Sequence, residues 1–108
     1  MSFNFEETFK SMINAAQTEL LEDTEQIRSQ LKQILEDEKD RLKLIADIKL
    51  DPTATDAEFD VAVENEKKVL ENAALALEIQ VRATAQKAIN AAITALNTAL
   101  NKAIQAIA

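Results

Sequence analysis

The side chains able to do chemistry in this sequence are carboxylates and amines: 19 Asp and Glu, 12 Lys and Arg, with no His and no Cys. Without imidazole or thiol there is no Ser-His-Asp or Cys-His relay, no thiolate nucleophile, no zinc site of the usual ligand set and no disulfide. Carboxylates alone can run glycoside hydrolysis, but that chemistry needs a cleft with sugar-stacking aromatics. The chain has four Phe and neither Trp nor Tyr. It also has no Gly, which removes phosphate-cradling loops and dinucleotide fingerprints, since these need backbone that only Gly adopts at low cost. The expectation is a protein without catalysis and without a cofactor.

One spacing imitates an ion site. Asp56, Glu58 and Asp60 fall at the first, third and fifth places of a calcium loop. The sixth place is Val61 and the twelfth is Lys67, where that loop requires Gly and Glu. The three acids read instead as the first turn of a helix, where the helix dipole favours negative charge. No metal is expected. A net charge of −7 and a sequence pI near 4.6 leave no basic footprint for nucleic acid.

These residues must be carried by helices. The one Pro, Pro52, lies in the polar stretch 51–56 (DPTATD), and no other strong breaker occurs. Thr55 with Glu58 fits a capping box at a helix start. The fold class expected is all-α, a single domain over 1–108: a helix over about 4–49, a turn over about 50–55 and a helix over about 56–107, two long antiparallel helices forming a hairpin.

Along the first helix Phe5, Phe9, Met12, Ala16, Leu20, Ile27, Leu31, Ile34, Leu42, Ile45 and Ile48 recur at helical spacing and make one seam. Asp23-Thr24 and Glu38-Lys39 interrupt it. The second interruption lies in the charged run 36–41 (EDEKDR), which reads as a solvated face. In the antiparallel register that sets Phe9 and Met12 against the small Thr98 and Ala95, Glu25 faces Arg82 and Arg41 faces Glu66. These two polar pairs are expected to fix register.

All 19 acids lie within residues 1–78, and residues 79–108 carry only Arg82, Lys87 and Lys102. That tail repeats itself: 87–97 (KAINAAITALN) aligns with 98–108 (TALNKAIQAIA) at a shift of 11 residues. Ala-Ile or Ala-Leu pairs begin at 88, 92, 95, 99, 103 and 106. Their average spacing of 3.6 keeps the stripe parallel to the axis of a straight helix.

A hairpin covers only one face of each helix, and the tail is too poor in charge to meet water all round. The expected cover is another copy of the chain. The interface is assigned to Ala88, Ile89, Ala92, Ile93, Ala95, Leu96, Ala99, Leu100, Ala103, Ile104 and Ile107, and Glu placed at Ala92 and Ala99 should dissolve the assembly while leaving the first half helical. The function expected is a structural or scaffolding one: self-assembly through the C-terminal helix into a homo-oligomer, a larger bundle or a filament. Two alternatives belong to other classes. One is a helical adaptor or secretion chaperone that binds a partner's helix. The other is an amphipathic helix lying on lipid or another hydrophobic surface, which the polar face of Asn, Thr and Gln argues against.

The layout of helix, Pro-containing polar turn and self-associating C-terminal helix resembles the general plan of type III secretion needle subunits. The resemblance is one of topology, with no shared motif, and assigns no residue a role. The first ten residues carry two Glu and no apolar run, which is not a secretory signal, and no apolar stretch is long enough to span a bilayer. The expected location is the cytoplasm, or outside it by a route that uses no cleaved signal.

Overall fold

The computed structural model describes residues 3–77 and 82–107, with the side chains of Arg82 and Ile107 outside the description. Five helices form: α1 (Phe5–Thr18), α2 (Glu25–Asp37), α3 (Lys39–Leu50), α4 (Asp56–Leu75) and α5 (Arg82–Ile107). There is no strand among the described residues.

Local chemistry accounts for three of the helix starts, those of α1, α2 and α4. Asn4 caps α1 by accepting from the Glu7 N–H at 3.1 Å, with Glu6 and Glu7 in the first turn. Thr55 caps α4, its hydroxyl accepting from the Glu58 N–H at 3.1 Å, as the Thr55/Glu58 pair leads one to expect. The turn before it is tied by Asp51, which accepts from the Thr53 N–H at 2.8 Å and the Thr53 hydroxyl at 2.7 Å. Those two bonds hold the Asp51 carboxyl below its ordinary pKa.

The expectation of two long helices is corrected. A 46-residue helix would be about 69 Å long, whereas the whole molecule measures 43 × 24 × 20 Å. The first long helix turns back at residues 19–24 and breaks again at Glu38, whose φ of −100° and ψ of 9° depart from helical values. The second is divided into α4, which ends at Leu75, and α5, which begins at Arg82. At the first reversal Thr24 caps α2, accepting from the Ile27 N–H at 3.2 Å. Asp23-Thr24, which interrupts the sequence seam, is therefore a helix start.

The result is a four-layer bundle of α1, the broken rod α2–α3, α4 and α5. Each layer packs on the next in the chain, and α1 closes the ring by packing most extensively against α5. The end of each layer meets the start of the next, Gln17 with Arg28, Lys49 with Asp56, and Leu75 beside Ala85, so successive layers are antiparallel.

One core runs through all layers: Phe9, Met12 and Ala16 of α1, Leu31 and Leu35 of α2, Leu42 of α3, Leu70 of α4, and Ile89, Leu96 and Leu100 of α5. Phe5 and Phe9 stack at 5.8 Å between ring centroids. Folding each long helix in half explains the correction physically. Each large apolar side chain taken from water contributes about 1.5–3 kcal/mol, while a reversal forgoes a few helical hydrogen bonds of about 1 kcal/mol each.

Candidate interaction surface

The C-terminal helix is covered by its own chain. Ala88, Ile89, Ala92, Ile93, Leu96 and Leu100 are buried, as is Ala85. Ala95, Ala99 and Ala103 are half-buried, Ile104 is exposed at 36%, and Ile107 lies outside the described side chains. The premise that only another polypeptide could cover this face is corrected: α1 and α4 cover it. Thr98 is exposed and Ala95 half-buried, so Thr98 does not sit in the seam as the register opposite Phe9 expects.

Of the two polar pairs, Glu25 is exposed at the start of α2, and the Arg82 side chain lies outside the description. Arg41 and Glu66 line one groove without a direct ion pair within 4 Å, and Glu38, which sequence reasoning placed in solvent, stands beside Arg41. Arg41 Nε lies 3.9 Å from Glu38 Oε1, and the Arg41 charge acts on Glu66. Glu66, on α4, is only 4% exposed. Glu38 Oε1 and both Glu66 oxygens are buried without a hydrogen-bond donor from the rest of the chain.

Desolvation, followed by the hydrogen bond and the negative charge of Glu38, pushes the Glu66 carboxyl up to about 7, against the opposing pull of Arg41. Once Glu66 is protonated, the two carboxyls satisfy each other. The signal in the sequence was Glu66 itself, an acid in step with Phe59, Val63, Leu70 and Ala74 on the buried stripe of α4. Glu38 had no such signal: it stands in a charged run, and in the fold it is half-buried with only Oε1 out of solvent.

Glu66 lies at the edge of a groove between α3 and α4. Its walls are Arg41, Leu44, Ile45, Ile48, Ala62, Asn65, Glu66 and Val69, enclosing about 270 Å³. A second shallow depression continues it along α4 past Ala62 to Val61. Leu44 and Val61 are each 61% exposed and Val69 is 42% exposed, so an apolar strip here meets water. The remaining large exposed apolar side chains among the described residues are Leu21, Leu75 and Ile104.

Asp56, Glu58 and Asp60 are exposed in the first turns of α4, and Asp56 pairs with Lys49 at 3.3 Å. Among the described residues no group of three or more acids is arranged to hold a metal ion, and no helix is long and apolar enough to cross a membrane. Comparison with family models, with curated proteins and with solved structures finds no match to this chain.

Proposed function

We propose that this protein is a non-enzymatic helical adaptor, a scaffold whose working surface is the α3–α4 groove and whose ligand is an amphipathic helix of another polypeptide. The observation that carries this reading is the apolar strip Leu44, Val61 and Val69, left in water beside the buried carboxyl of Glu66. A partner helix would bury the strip through apolar residues at helical spacing. A Lys or Arg on its apolar face would pair with Glu66 in its ionised form, for which the chain supplies no donor, and would be drawn by the −7 charge of the chain.

The test uses two synthetic amphipathic helices that differ only in a central Lys or Met. The Lys peptide should bind more tightly, Leu44→Asp with Val69→Asp should abolish binding of both, and Glu66→Gln should erase the preference for Lys. Equal binding of both peptides to wild type and to the groove variant would overturn the reading. Self-assembly through the C-terminal helix stands as a second reading. One feature of the fold favours it: the reversal at 19–24 contains neither Gly nor Pro.

A further inference from the structure

The two fully described reversals of the chain differ in kind. At 51–55 the backbone leaves helical space, with ψ of 117° at Asp51, and Pro52 follows. At 19–24 the backbone also leaves helical space, at Thr24 with ψ of 157°, but no residue there forbids a helix. Glu19 has φ of −71° and ψ of −12°, the Glu19, Leu20 and Asp23 N–H groups each donate three residues back, and no described residue has positive φ. The buried positions also keep helical phase across the turn: Ala16, Leu20, Ile27 and Leu31 are separated by steps of four, seven and four. In a straight helix all four lie on one face.

What closes the turn is a small set of bonds. Arg28 Nη1 donates to the carbonyls of Leu20 (3.1 Å), Leu21 (3.4 Å) and Asp23 (2.6 Å). Gln17 Nε2 donates to the Arg28 carbonyl at 3.3 Å, and Thr24 caps α2. In a continuous helix the first three carbonyls would be taken by backbone N–H groups instead.

We propose that the chain forms a homodimer by exchanging α1: residues 19–24 straighten into helix, α1 continues the line of α2, and it docks on α5 of a second copy. The occupant of the vacated slot is fixed by what the slot fits. α1 makes its most extensive packing with α5, fills it with Phe9, Met12 and Ala16, and is held on α3 by Lys39, whose Nζ lies 2.7 Å from Glu6 Oε2 and 5.2 Å from the Phe9 ring centre. A second copy brings all of these contacts unchanged, so the exchanged dimer differs from the monomer mainly in the turn and in the freedom lost on association. The Ile and Leu stripe of α5 then becomes a surface between chains. The inference is independent of the groove reading.

The test compares wild type with Thr24→Ala/Arg28→Ala, which removes the cap and the latch, and with Leu21→Gly/Glu22→Gly, which penalises a straight helix while leaving the latch in place. Each is unfolded, refolded at micromolar and at millimolar concentration, and weighed by light scattering. The Ala variant should raise the dimer fraction about tenfold or more, as expected for loss of one cap and one charged donor, and the Gly variant should lower it. An exchanged dimer formed at high concentration persists on dilution and reverts only after unfolding. Because the chain has no Cys, copies labelled at Ser11→Cys and copies labelled at Thr98→Cys should show energy transfer when refolded together. Monomer throughout the series, or a dimer that falls apart on simple dilution, would overturn the proposal. Leu44→Asp with Val69→Asp separates the two ideas, since it removes groove binding and leaves exchange unchanged.

Discussion

At the scale of residues, Glu66 is the group whose chemistry departs most from its type. Its ordinary value is 4.5 and its folded value about 7, so between those limits the folded state holds a proton that the unfolded chain releases. By linkage, the stability this carboxyl lends is complete below the unfolded value and is lost as pH rises through 7. Glu66→Gln keeps the shape and a donor toward Glu38 without the charge. Thermal unfolding of both proteins at about pH 5 and about pH 8 should show wild type losing on the order of 1 kcal/mol relative to the Gln variant, once screening at the open side of the groove is allowed for. A constant difference between the two proteins across that range would mean that Glu66 is solvated and not paired with Glu38. The two members of this pair also show what the sequence could reveal. Glu66 shares the spacing of the core positions on α4, whereas Glu38 looks like any other acid in a charged run.

At the scale of elements, what was legible was what local chemistry decides. Pro52, the Asp51–Thr53 bonds and the Thr55 cap each set the α3–α4 turn without help from distant residues. The reversal at 19–24 and the division of the second half into α4 and α5 were not legible, because the residues at 19–24 suit a helix as well as a turn and the choice is made by the apolar surface that folding in half buries. Thr24 gives a test by sign. As the cap of α2 it should cost about 1 kcal/mol when changed to Ala, as should Thr55. Inside an uninterrupted helix, Thr24→Ala would instead stabilise by a few tenths of a kcal/mol. Denaturant midpoints of the two single variants, read with unchanged slopes, distinguish the cases.

At the scale of the whole molecule, the sequence pattern and the fold agree on which residues want cover and differ on what supplies it. The stripe from Ile89 to Leu100 was expected to meet another chain, and in the folded chain α1 and α4 meet it first. The Cα radius of gyration of 14.0 Å is near the roughly 13 Å typical of a compact domain of this length. This changes the meaning of a charge placed on the stripe. Ala92 is fully buried between layers, so Ala92→Glu should put an unpaired carboxylate into the one continuous core and destabilise by about 3 kcal/mol or more. Because that core joins all four layers, the loss should be cooperative: circular dichroism should show the first-half helices melting together with α5 at a lowered temperature. A long hairpin held only by self-assembly would behave differently, shedding mass while α2 and α3 kept their helicity. Helix content and particle mass followed on the same Ala92→Glu sample therefore show whether this face holds one chain together or joins several.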